Sequence, residues 1–130
     1  MLSFCYLRLL KKQKPMKFHN YYIYITTNPQ RTVLYTGVTN DLDWRMEQHR
    51  QDSEEKKRTF AGRYHCYNLI YYEYYPDIRV AIAREKEIKG WSRKKKVALI
   101  AGFNPEWRFL NDPAEIAKGD LPHWVIGENE

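Results

Sequence analysis

The run from Tyr21 to Thr26, YYIYIT, constrains this chain more than any other stretch. Aromatic and β-branched side chains lose rotamer freedom in a helix and pack well on a pleated surface, so the run reads as a strand. Asn28-Pro29-Gln30-Arg31 follows with turn chemistry: proline fixes φ, and asparagine can bond its own backbone. Val33 to Gly37 then reads as a second strand. A turn centred between Pro29 and Gln30 sets Tyr24 directly opposite Tyr35 on one sheet face. A slip of one residue would separate them. Gly37 ends the strand without a Cβ, which leaves the chain free to bend and to pass close to a ligand.

Asn40 and Asp41 are good N-caps, and the helix they start carries Leu42, Arg45, Met46 and His49 on one side. Leu42 and Met46 are expected to pack on the sheet, with Arg45 and His49 at the edge of that contact. Gln51 to Arg63 is charged and unpatterned, and reads as a loop carrying Lys56, Lys57, Arg58 and Arg63. Tyr67 to Tyr75 is the third strand, closed by Pro76, with Asp77 placed to cap the next helix.

That helix, Ile78 to Lys89, has an unusual centre. At about 100° per residue, Ile78, Ala81, Ile82 and Ile88 all fall within about 60° of Glu85. A carboxylate is thus aimed into the fold, which is costly unless a cation meets it. Gly90 breaks the helix and Ser92 can cap another. Val97, Ile100 and Ala101 form its expected buried side, and Arg93 to Lys96 crowd its first turn. Gly102, Asn104 and Pro105 end it. The remainder, with Trp107, Phe109 and Trp124, either packs back or trails away. The expected architecture is α/β in the α+β sense: a small three-stranded antiparallel sheet flanked by helices. Residues 16–105 form the domain, 1–15 an N-terminal extension and 106–130 a tail.

A chain of 130 residues suits one domain, and 43% hydrophobic content fills a core without staples. Cys5 and Cys66 lack metal-ligand spacing, which argues against a disulfide framework or a zinc site and favours a reducing cytoplasm. The Leu2 to Leu10 stretch is too short to span a membrane, and Arg8 interrupts it. The net charge is +6, of which residues 50–96 alone carry +6, while residues 103–130 carry −4. The middle of the chain is therefore the expected anion-facing part.

Tyr22-Ile23-Tyr24, Tyr35-Thr36-Gly37, Arg45 ten positions after Tyr35, and His49 four later together resemble the GIY-YIG (URI-type) nuclease superfamily. The segment AREKEIKGWSRKKKVALI, from Ala83 to Ile100, resembles the end of its short stand-alone bacterial members. These are related to the N-terminal domain of the nuclease component of excinuclease ABC. Tyr22 stands for the first glycine and Thr36 for the central isoleucine. Val38 stands where the excinuclease branch has lysine, and Asn104 matches a late family asparagine by location only.

The resemblance implies a metal-dependent endonuclease that hydrolyses DNA phosphodiesters, in repair or recombination. Glu85 would hold one Mg²⁺ or Mn²⁺, and Arg45 would clamp the phosphate. A tyrosine would take the proton of the attacking water. Both Tyr35 and Tyr24 are candidates, with Tyr35 preferred and Tyr24 orienting water. A free phenol titrates near ~10, so this role needs a fall of ~3 units, or roughly 4 kcal/mol. His49 would relay a proton or touch phosphate. Gly37, Arg50, Lys56, Lys57, Arg58, Arg63, Lys94, Lys95 and Lys96 would lie along the flanking nucleic acid. A protein partner is compatible with this reading but not identified by it. The competing readings are an inactive nucleic-acid-binding module of the same fold and an RNA nuclease. The blandest has the tyrosines as sheet packing and Glu85 as a buried ion-pair partner, of Arg45 for instance.

Overall fold

Residue alternation along the first strand divides the molecule into two layers of packing. In the computed structural model, which describes residues 20–56 and 58–121, this strand is β1 (Tyr21–Thr27). It lies between β2 (Leu34–Thr39) and β3 (Asn68–Tyr75), antiparallel to both. The helices are α1 (Leu42–Glu54), α2 (Phe60–Arg63), α3 (Ile78–Lys89), α4 (Arg93–Phe103) and α5 (Pro113–Lys118). The three-stranded antiparallel sheet flanked by helices is thus the observed fold. The expected extension over residues 1–15, and Trp124, lie outside the described residues.

Tyr21, Ile23 and Ile25 face one way and meet Val38, Ile70, Tyr71, Ala81, Ile88 and Ile100, so α3 and α4 cover that face. Each fully buried isoleucine there contributes about 2 kcal/mol of burial. Tyr24 faces the other way and packs with Met46, Leu69 and Leu110, under α1. Both faces are covered, so β1 reads as a nearly continuous apolar run rather than a clean alternation.

The hairpin register differs from expectation. Tyr24 pairs with Gly37, and Tyr35 with Thr26. The shift is two residues, not one, so both tyrosines keep a common face as diagonal neighbours. Asn28 is the cause, because its side chain closes a longer loop than Pro-Gln alone would. Its Oδ1 accepts from the backbone N–H groups of Thr32 (2.8 Å) and Val33 (2.9 Å), and its Nδ2 donates to Thr32 Oγ1 (2.7 Å).

The expected loop over Gln51–Arg63 is largely helical. Asp41 caps α1, its side chain accepting from the Trp44 N–H at 3.0 Å, and the helix continues to Glu54 with Asp52 and Ser53 buried. Polar pairs replace apolar periodicity there: Gln48 donates to Asp52 (3.1 Å), and Ser53 Oγ bonds His65 Nδ1 at 2.5 Å. Thr59 caps the single turn of α2 through the Gly62 N–H. On α4 the apolar side is Leu99, Ile100 and Phe103, while Ala101 is exposed, contrary to expectation.

The chain after α4 packs back on the sheet. The Leu110 N–H donates to the Leu69 carbonyl at 2.7 Å, and the Asn111 side chain bonds the Leu69 N–H and the Tyr67 carbonyl. Asn104, fully buried, pins the bend. It donates to the carbonyls of Ile70 (3.0 Å) and Arg108 (2.9 Å) and accepts from the Arg108 N–H (3.0 Å). Its amide is thus used up within the scaffold. Asn104→Ala strands these backbone groups, and a loss of about 3 kcal/mol is expected as a lowered urea midpoint with an unchanged slope.

Candidate active site

The capped helix α1 presents Arg45 and His49 one turn apart toward the tyrosine face of the sheet, and Tyr24 receives both. Tyr24 Oη lies 2.8 Å from His49 Nε2, and Arg45 Nε donates to the same oxygen at 3.3 Å. The Tyr35 ring stands beside them, 6.2 Å from the Tyr24 ring and 5.2 Å from the His49 ring, edge-on to the latter. Tyr24 and His49 are 0% and 1% exposed, whereas Tyr35 is only partly buried. This difference in access separates two phenols that the sequence could not distinguish. His49 is closed off from solvent, so contact with phosphate is not open to it.

Gly37 is explained by Tyr24. A Cβ built on Gly37 would sit 2.4 Å from Tyr24 Oη and 2.5 Å from Cζ. The missing side chain makes room for the phenol, not for a ligand on that side. Val38, at the position where the resemblance would have lysine, is buried in the core under the opposite face.

Burial, reinforced by the Arg45 charge, pushes the His49 pKa down to about 3. The imidazole is therefore neutral across the physiological range and too weak a base to store a proton; it holds the Tyr24 hydroxyl in place. Its other nitrogen, Nδ1, is buried without a hydrogen-bond partner. The linkage has a definite sign. Between pH 6.5 and 3 the unfolded chain takes up a proton at this histidine that the folded chain refuses. Stability is therefore complete above pH 6.5 and falls on acidification, by up to about 1.4 kcal/mol per pH unit. Urea melts between about pH 6.5 and 5, above the carboxylate range, are expected to show this slope, and His49→Gln is expected to flatten it.

Glu85 reaches the site from a different direction. Helix α3 buries Ala81 and Ile88 on the face opposite Tyr24, with Glu85 only 2% exposed between them, as its position in the stripe requires. Its carboxylate pairs with Lys89, one turn on, at 3.0 Å. The Lys89 ammonium in turn lies 6.0 Å from the centre of the Tyr35 ring. Tyr35 is on β2, an outer strand, so Lys89 carries the acid's neighbourhood past the sheet edge to the phenol. Lys89 escaped the sequence reading, although its i+4 spacing from a buried acid was a usable signal.

A second buried acid went unmarked. Glu73 on β3 is gripped by both arms of the Arg84 guanidinium at 2.9 Å and by the hydroxyls of Tyr71 and Tyr75. Burial pushes its carboxyl up, but these donors together pull it below the ordinary range. It is a closed ion pair with no vacant acceptor geometry, unlike Glu85.

The expected phosphate-binding residues fall into three groups. Arg50 is held by Glu47 and Glu54 on its own helix. Lys56, Arg58 and Arg63 line one hollow of about 530 Å³ together with Gly62 and His65. Lys94, Lys95 and Lys96 lie in the first turn of α4, with the Lys95 ammonium 4.3 Å from the Trp91 ring centre and Lys96 lining a second, smaller hollow. Lys57 lies outside the described residues.

The donor chemistry fits a hard divalent cation held by a single carboxylate. Among the described residues no three His, Cys, Asp or Glu side chains gather as a cage. Magnesium is commonly bound through one or two carboxylates, keeping water and phosphate oxygens as its other ligands. Glu85 already carries a cation, the Lys89 ammonium, on an otherwise apolar helix face. No helix among the described residues is long and apolar enough to cross a membrane.

Known proteins share this pattern. A "UPF0213 protein" of Bacillus pumilus is 37% identical over 81 residues, spanning 62% of this chain and 79% of that one. A "UPF0213 protein" of Staphylococcus aureus is 37% identical over 67 residues, spanning 52% and 78%. The solution NMR structure of the UPF0213 protein BH0048 from Bacillus halodurans aligns over 73% of this chain and 97% of that one, at 24% identity and a TM-score of 0.43. The family model of the GIY-YIG catalytic domain matches residues 20–98, the stretch that supplies Tyr24, Tyr35, Arg45, His49 and Glu85. With both tyrosine motifs on adjacent strands, and the arginine and histidine of the following helix bonded to the first tyrosine, the chain belongs to the GIY-YIG nuclease family.

Proposed function

We propose that this protein is an endonuclease that hydrolyses DNA phosphodiester bonds with Mg²⁺ or Mn²⁺. The observation that carries the reading is the contact chain from Arg45 through Tyr24, His49 and Tyr35 to Lys89 and Glu85. It gathers a guanidinium, an accessible phenol and a carboxylate from separate elements, with no structural need to do so.

Glu85 would hold the cation, which when bound would supply Lewis-acid stabilisation of the phosphoryl oxygens. Arg45 binds a non-bridging phosphate oxygen and stabilises the charge that builds there. Its Nε is steered by Tyr24, which His49 fixes in turn. Tyr35, the more accessible phenol, takes one proton from the attacking water. The water oxygen bonds to phosphorus as the bond to the leaving sugar oxygen breaks. Tyr24, enclosed with His49, acts through Arg45 rather than on water.

One observation favours the competing reading of an inactive binding module: Lys89 occupies the Glu85 carboxylate. Supercoiled plasmid incubated with the purified protein and Mg²⁺ or Mn²⁺ separates the two. Nicking that disappears in Arg45→Ala supports the enzyme. Salt-sensitive binding without nicking supports the module. The same assay on a structured RNA decides between DNA and RNA.

A further inference from the structure

The mechanism leaves unused two large exposed rings beside Tyr35. Phe60, on α2, lies over the Tyr35 ring at 5.8 Å between centres and 27° between planes. Tyr64 follows at 4.8 Å from Phe60, and the Arg63 guanidinium sits 5.6 Å from the Tyr64 ring centre. The three rings make a short ladder leading outward from the candidate base. Its outer rungs stay wet: Phe60 is 47% exposed and Tyr64 41%. A single exposed apolar residue is ordinary, but two in contact, rimmed by charge, are informative.

The charge is positive on both sides. The hollow lined by Lys56, Arg58 and Arg63 adjoins the ladder on one flank. On the other, Phe60 itself lines a hollow of about 270 Å³ with Arg93 and Lys96, which are brought there from α4. Sequence-distant cations thus converge on an aromatic step. Alternating aromatic faces and cations is the arrangement by which proteins hold unpaired nucleotides: bases stack on rings while phosphates meet the flanking charges. A duplex keeps its bases stacked on each other and offers no free face to such a step.

We infer that Phe60 and Tyr64 form a stacking site for an unpaired base next to the scissile phosphate, with Arg58 and Arg63 on the adjoining phosphates. The site gives the protein a preference for single-stranded or locally melted nucleic acid. This rests on the nuclease reading for the position of the scissile phosphate, but the binding site itself does not depend on cleavage.

The test measures binding of a fluorescent oligo-dT and of a hairpin duplex of equal length to the full chain, with EDTA present so that nothing is cut. Oligo-U is run in parallel to compare RNA with DNA. Phe60→Leu and Tyr64→Leu are each expected to weaken single-strand binding about 10-fold while changing duplex binding less than about twofold. A 2-aminopurine placed in the single strand is expected to be quenched by the unmodified protein and to recover in both variants. Tyr64→Leu alters a ring outside both core clusters, so it decides the matter even if Phe60→Leu unfolds. Unchanged single-strand affinity in Tyr64→Leu, or equal losses on both ligands, overturns the inference. If plasmid is nicked and these variants bind normally, the stacking site alone falls. If plasmid is never nicked but the variants lose single-strand binding, the stacking site stands and the nuclease reading falls.

Discussion

Glu85→Gln is expected to reduce metal-dependent plasmid nicking at least about 1,000-fold while leaving the protein folded. The size follows from the role: losing the only carboxylate proposed for the cation removes about 4 kcal/mol of transition-state stabilisation. The substitution conserves shape in a position that is 2% exposed, so no cavity opens. It does break the pair with Lys89, but that ammonium is 42% exposed and can turn to water, which limits the cost to stability. Circular dichroism and a thermal melt confirm folding beside the activity assay. A companion variant tests the competition at the carboxylate. Lys89→Met removes the resident cation and is expected to lower the Mn²⁺ concentration needed for half-maximal nicking, if any nicking survives the change beside Tyr35. A Glu85→Gln protein that nicks at the normal rate would remove the acid from the mechanism.

Gly37→Ala is expected to destabilise the fold by about 3 kcal/mol and to abolish nicking with it. The new methyl would lie 2.4 Å from Tyr24 Oη, closer than any real contact, and the obstacle is a ring packed among Met46, Leu69 and Leu110. Overpacking of this kind costs about 1–3 kcal/mol, and displacing the phenol also breaks its bonds to His49 and Arg45. Tyr24→Phe cannot relieve the clash, because Cζ is nearly as close. The pair Gly37→Ala with Tyr24→Leu is expected to recover much of the stability and none of the activity. Urea melts beside the nicking assay read both halves. Full activity in Gly37→Ala would mean that the tyrosine is not held where this account needs it.

What the sequence disclosed follows the range of the forces involved. Asp41, Asp77 and Ser92 cap helices through their own side chains, and all three were legible as caps. The Glu85 stripe was legible because about 100° of rotation per residue is a local property. The register was misread because Asn28 bonds backbone four and five residues ahead, so the turn closes on a side chain that propensity does not weigh. The stretch Gln51–Arg63 looked like a loop because Asp52 and Ser53 are buried through hydrogen bonds, and no apolar period betrays that. Asn104 and the Glu73–Arg84 pair are polar solutions to burial that only the three-dimensional neighbours explain. Within the candidate site, the motif tyrosines, Arg45, His49 and Glu85 were all identifiable by spacing and resemblance. The unequal access of Tyr24 and Tyr35, and the part played by Lys89, required the packing of α1 and α3 on opposite faces.

The central claim is that the acid, the accessible phenol and the guanidinium serve one cation-bearing site. Anomalous diffraction from crystals soaked in Mn²⁺ tests it most directly. The account predicts a peak on the Glu85 carboxylate at about 2.1 Å, on the Tyr35 side, with the Lys89 ammonium swung outward. A Glu85 carboxylate still paired with Lys89, with no peak beside it at saturating Mn²⁺, would contradict it.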